Sequence, residues 1–120
     1  MASEFKHPLT VTDLFEQVEK QELYIALINQ LSKDFRLVGI EIQIHIALKP
    51  VEVLDVLHDK IFSLIQTNFA SYLNLLYVID IPENEVRGLD GSDVVELSKA
   101  LSFIILKRIW QKIWFKKFYS

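Results

Sequence analysis

This sequence predicts a mainly α single domain, a bundle-like arrangement of four helices with one extended β segment near residues 38–48. Three observations carry that reading. Over most of the chain apolar residues recur at intervals of three and four, the spacing that lines one face of a helix. One stretch, "GIEIQIHIALK" from Gly39 to Lys49, alternates with period two instead. The chain has 120 residues, 51% of them hydrophobic and 24% charged, which is the size and composition of one folded domain (residues 1–120).

Residues 1–11 show no periodicity, and Pro8 breaks any early helix. Thr10 or Thr12 is placed to cap the first helix, with Asp13 and Glu16 in its first turn, where the helix dipole favours acids. Leu14, Val18, Tyr24 or Ile25, Ile28 and Leu31 then recur at helical spacing and predict a helix over about 13–33. In the next stretch Ile40, Ile42, Ile44, Ile46 and Leu48 alternate with Glu41, Gln43, His45, Ala47 and Lys49. β-Branched residues at period two predict a strand. A helix is the alternative, because Leu37, Ile40, Ile44 and Leu48 also fall at spacings of three and four. A lone strand leaves backbone N–H and C=O groups unpaired. Only residues 8–12 or 77–81 could pair with it within the chain. Ile40, Ile42, Ile44 and Ile46 are therefore candidate pairing residues, with a second copy of the segment or with the N-terminal arm.

Pro50 suits the first turn of a new helix, since its missing N–H costs nothing there. Leu54, Leu57, Ile61 and Ile65 form that helix's inner stripe, and Glu52, Asp55 and Asp59 lie outside it. From Ile61 to Ile79 no residue is charged. Ser63, Gln66, Thr67, Asn68, Ser71 and Asn74 make this stretch too polar for a membrane span. It reads as two helices meeting at "QTNFAS", the second ending before Pro82. "PENEVRGLDG" is a turn or a single helical turn. Ser92 or Asp93 caps the last helix, which runs to the chain end. Its "ALSFIIL" is apolar on nearly every side and should be the most buried part of the bundle.

The composition also excludes chemistries. There is no cysteine, so disulfides, thiolate metal sites and thiol catalysis are absent. That fits a reducing compartment. "MASEFKHPLT" has no basic region followed by an apolar stretch, so no signal peptide is read and a cytoplasmic location is the default. Gly39, Gly88 and Gly91 are the only glycines, which rules out the glycine-loop phosphate motifs. No G-x-S-x-G elbow occurs. Glu52, Asp55, His58 and Asp59 have metal-ligand spacing on one helix. No second acidic helix with a histidine completes a site, so they read as an exposed acidic face. His45 falls on the polar side of the predicted strand. Asp80, Glu83 and Glu85 surround Pro82, and backbone capping by Asp80 accounts for them more simply than a catalytic carboxylate pair. No catalytic residue, metal or cofactor is implied.

The charge distribution singles out the tail. The net charge is −3, yet residues 1–106 carry 8 basic and 16 acidic residues, while residues 107–120 carry 5 basic and none acidic. In "KRIWQKIWFKKF", Arg108, Lys112 and Lys116 share one stripe at i, i+4 and i+8. Ile109, Trp110, Ile113 and Trp114 take another face. Core packing with compensation of the helix dipole is one reading. Contact with an acidic protein is a second, and contact with nucleic acid or an anionic surface a third. An acidic chain argues against nucleic acid.

At "YLNLLYVIDIPENEV" and "ILKRIWQKIW" the chain resembles small bacterial proteins of no assigned function, which share an LLY-x-ID-x-PE segment followed by a basic C-terminal helix. The resemblance implies a helical fold and supplies no activity. Together these observations lead to a non-enzymatic protein–protein interaction protein that forms homo-oligomers. Binding of nucleic acid or an anionic surface through the tail is the alternative.

Overall fold

The computed structural model describes residues 4–119. Among these the fold is all-helical, with six helices and no strand. They are α1 (Val11–Lys20), α2 (Tyr24–Leu37), α3 (Pro50–Thr67), α4 (Phe69–Ile79), α5 (Glu83–Arg87) and α6 (Val94–Tyr119). Ser120, to which the sequence extends the last helix, lies outside the described residues.

The predicted helix over 13–33 is two helices, and the turn at "PENEVRGLDG" holds the short helix α5, so the count of four is corrected to six. Thr10 caps α1 as expected, its Oγ1 accepting from the Asp13 N–H at 3.0 Å. The helix then ends where Glu22 turns left-handed, at φ 58°. The Glu22 N–H donates to the Glu19 carbonyl and the Leu23 N–H to the Val18 carbonyl, both at 3.0 Å. These two bonds satisfy the last carbonyls and reverse the chain. The same closure recurs after α2, at Gly39 (φ 75°), and after α4, at Asp80 (φ 68°). Glycine takes this conformation without strain, whereas Glu22 and Asp80 do not. Because two of the three turns lack glycine, they are hard to find from sequence.

The segment after α2 corrects the second expectation. Residues 38–49 contain no strand and pair with nothing as a ladder. The chain turns at Ile44, whose N–H donates to the Ile42 carbonyl at 2.9 Å, and again where the Leu48 N–H reaches the His45 carbonyl at 3.1 Å. Ile40 and Ile44 are buried in this chain's own core, Ile42 and Leu48 are partly buried, and Ile46 is 54% exposed. The Tyr24 hydroxyl donates to the Leu48 carbonyl and ties the segment to α2. A lone extended run has no neighbour to satisfy its backbone, and local turns do so instead. The two buried positions, Ile40 and Ile44, are four residues apart.

α3 starts as expected, with Pro50 first and the Lys49 N–H donating to the Glu52 carboxylate at 2.9 Å. Its inner face is centred on Val53, Leu57, Ile61 and Leu64, with Leu54 and Ile65 flanking it. The uncharged stretch splits at Asn68, whose Oδ1 caps α4 through the Ser71 N–H at 3.2 Å. No described helix is long and apolar enough to cross a membrane. α6 is the axis of the bundle and packs against α1, α2, α3 and α4. Its 26 residues span about 39 Å at the α-helical rise, most of the molecule's 45 Å length. Leu101, Ser102, Ile104, Ile105 and Leu106 are buried at its middle, where "ALSFIIL" was expected to be. Burying Ser98 and Ser102 leaves no polar group open, because each hydroxyl donates to the carbonyl one turn earlier at 2.7 Å.

Candidate interaction surface

The basic tail is built into the fold. Arg108 reaches the end of α4, its Nε donating to the Asp80 carbonyl at 3.1 Å and its Nη2 to the Asp80 carboxylate at 2.9 Å. Its Nη1 donates to Gln111 Oε1 at 2.9 Å. Lys112 points to α2, with Nζ 3.9 Å from Asp34 Oδ2. Lys107 lies 3.8 Å from Glu85 of α5, and Lys117 donates to the Gln21 carbonyl after α1 at 2.9 Å. Four of the five tail cations thus each hold a different element against α6. Lys116 is exposed near the end of α6.

Asp34 is the most demanding partner in this set. It is 2% exposed, its Oδ1 accepts from Gln30 Nε2 at 2.9 Å, and its Oδ2 accepts no hydrogen bond. Lys112 is the cation beside that oxygen. Burial pushes the Lys112 ammonium below its usual pKa, and the Asp34 charge works against that shift. The two tail tryptophans are core residues too, while Phe115 and Tyr119 are exposed. Trp110 is fully buried, with Nε1 donating to Gln17 Oε1 at 3.0 Å. Trp114 meets Phe5 edge-on at 5.5 Å and packs on Phe118 at 4.7 Å.

The remaining polar candidates disperse. Glu83 pairs with Arg87 at 2.9 Å, Glu85 with Lys107 and Asp80 with Arg108, so each carboxylate near Pro82 has its own cation. Among the described residues no three His, Asp or Glu side chains converge as a metal site. Glu52, Asp55 and Asp59 are exposed, and His58 is half-buried in the cleft between α3 and α6. Burial lowers the His58 pKa, against the opposing charges of Asp55 and Asp59 and with the help of Lys99. His45 is exposed beside Ile44 and Ile46.

The outer face of α4 is a feature that the sequence pattern does not single out. The helix buries Tyr72, Leu75 and Ile79. On the opposite side Phe69, Leu73 and Tyr77 stand at i, i+4 and i+8 and are 54%, 50% and 86% exposed. Ala70 and Asn74 are exposed beside them, and α4 carries no charge at all. A helix apolar on every side belongs inside a fold, yet this one leaves a whole stripe outside. Contiguous exposed apolar stripes mark contact sites, whereas isolated apolar residues do not. Of the isoleucines that the sequence offers for association, Ile40 and Ile44 are buried, Ile42 is partly buried and Ile46 is exposed. Comparison with protein-family models, with curated proteins and with solved structures returns no match.

Proposed function

We propose that this protein acts by binding another protein chain through the outer face of α4, as an interaction protein and not an enzyme. The observation that carries this reading is the uncharged stripe Phe69–Leu73–Tyr77, exposed on a helix whose other side is core. Aromatic side chains are favoured anchors of protein interfaces, because they bring large area at low entropic cost. The alternative, a nucleic acid or anionic surface bound by the tail, draws less support. Arg108, Lys112, Lys107 and Lys117 already neutralise or cap groups of this same chain. An anion would have to compete with those contacts.

The test is light scattering on the purified full chain, alone and with whatever co-elutes, for wild type and for Leu73→Glu. The reading expects a mass above the single chain's 14.0 kDa for wild type and a loss of associated mass in the variant. A wild type at single-chain mass with nothing bound, or an association that Leu73→Glu leaves intact, overturns it.

A further inference from the structure

We infer that the occupant of the α4 face is a second copy of this chain, packed antiparallel about a two-fold axis that passes near Leu73. This inference rests on the interaction reading above and specifies its partner.

A two-fold interface puts the same patch on both sides, so the patch must complement itself. A charge beside the axis fails this, since it meets its like. The α4 face passes, because residues 69–79 carry no charge. The order of its side chains also reads nearly the same in both directions: aromatic Phe69, aliphatic Leu73, aromatic Tyr77. Reversing one copy sets Leu73 against Leu73 and Phe69 against Tyr77. It also carries the Tyr77 hydroxyl toward the polar Thr67–Asn68 junction of the other copy. A parallel pair would align the two helix dipoles, whereas the antiparallel pair sets the carbonyl end of each α4 beside the N–H end of the other.

The area sets the strength. With aromatic side chains of roughly 150–250 Å² each, the three exposures give roughly 350 Å² per copy. A standard interface takes about 800 Å² per partner. The stripe supplies about half of that, and Ala70, Asn74 and Gln66 lie exposed around it. The result is a weak, reversible dimer that dissociates on dilution.

The chain has no cysteine, so single-cysteine variants report on geometry without background. Leu73→Cys, Phe69→Cys and Tyr77→Cys are each oxidised mildly and run without reductant, and the last two are also mixed. In the antiparallel pair two copies of position 69 lie about 12 Å apart along the helix axis, beyond the roughly 4.4–6.8 Å Cα separation of a disulfide. Leu73→Cys is then expected to cross-link alone. Phe69→Cys and Tyr77→Cys are expected to cross-link with each other and not with themselves. Sedimentation of Leu73→Glu is expected to raise the dissociation midpoint at least about tenfold, with an unchanged circular dichroism spectrum as the check on folding. Self-cross-linking of Phe69→Cys and of Tyr77→Cys means a parallel pair and overturns the inference while the interaction reading stands. A chain that stays single at all concentrations but loses a different bound protein on Leu73→Glu also overturns it and keeps that reading. A chain that stays single and binds nothing overturns both.

Discussion

Lys112→Met tests whether the tail cations are structural. The methionine keeps most of the lysine stem that packs along α6 and removes only the charge. It leaves Asp34 buried with one oxygen accepting no hydrogen bond and no cation beside it. Two unit charges near 4 Å attract by about 4 kcal/mol at the effective dielectric suited to such sites. The Lys112 side chain is 28% exposed, so solvent screens part of that. Breaking a fully buried pair from one side costs about 3–5 kcal/mol. The value expected here is therefore lower, about 2–3 kcal/mol. The intact pair is a different matter. Burial outweighs the Asp34 attraction at Lys112, so the pair adds little over neutral groups of the same shape. Asp34→Asn in the Lys112→Met background is thus expected to return at least about half of the lost stability. Urea unfolding reads both, followed by the fluorescence of Trp110 and Trp114, which lie on the same helix. A change under about 0.5 kcal/mol for Lys112→Met, the size of an ordinary surface substitution, would mean that this lysine is solvated and does not support Asp34.

The fold sets three further outcomes. Ile44→Ala should cost about 2–3 kcal/mol and Ile46→Ala less than about 0.5 kcal/mol, because only Ile44 is buried; a strand paired with another copy would bring both residues into its interface, and equal losses in thermal melts would favour it. Glu22→Gly should stabilise the α1–α2 turn by about 0.5–1 kcal/mol by removing a left-handed non-glycine residue, measured as a shift in the urea midpoint, while Asp80→Gly gains less because it also loses the Arg108 carboxylate contact. His58 has a folded pKa below its unfolded 6.5, so the unfolded chain binds the extra proton and stability falls as pH drops through that window; titration of stability from pH about 7.5 to about 5 should show a slope that His58→Gln reduces.

Where the sequence states its own phase, the elements are legible. α3 is found because Glu52, Asp55 and Asp59 mark its outer side and Pro50 its start. The two helices inside the uncharged stretch are found because "QTNFAS" is polar where a span would be apolar. The α1–α2 turn is not legible, since Glu22 holds a conformation that a sequence announces only with Gly or Asn. The isoleucine run misleads for another reason. Period two and period four share every second residue, so Ile40, Ile44 and Leu48 satisfy both patterns. Only the turns at 42–44 and 45–48 decide between them, and no residue there demands a turn.

The two surface features fail to explain themselves for opposite reasons. The tail is conspicuous because its charges are concentrated, while the groups that answer them are scattered: Asp34 on α2, Asp80 after α4, Glu85 on α5 and the carbonyl of Gln21 after α1. Each pairing spans long stretches of chain, so the sequence does not show that Lys107, Arg108, Lys112 and Lys117 meet other elements of the same bundle. α4 is inconspicuous because it has no charge. Phe69, Tyr72, Leu73, Leu75, Leu76, Tyr77 and Ile79 leave no polar stripe to fix its rotation, and periodicity cannot say which three face out. Packing decides it: Tyr72, Leu75 and Ile79 fill the space against α2, α3 and α6, and Phe69, Leu73 and Tyr77 are what remains. The apolar stripe left exposed therefore falls on the segment without charge, and four of the five tail cations meet groups of this same chain.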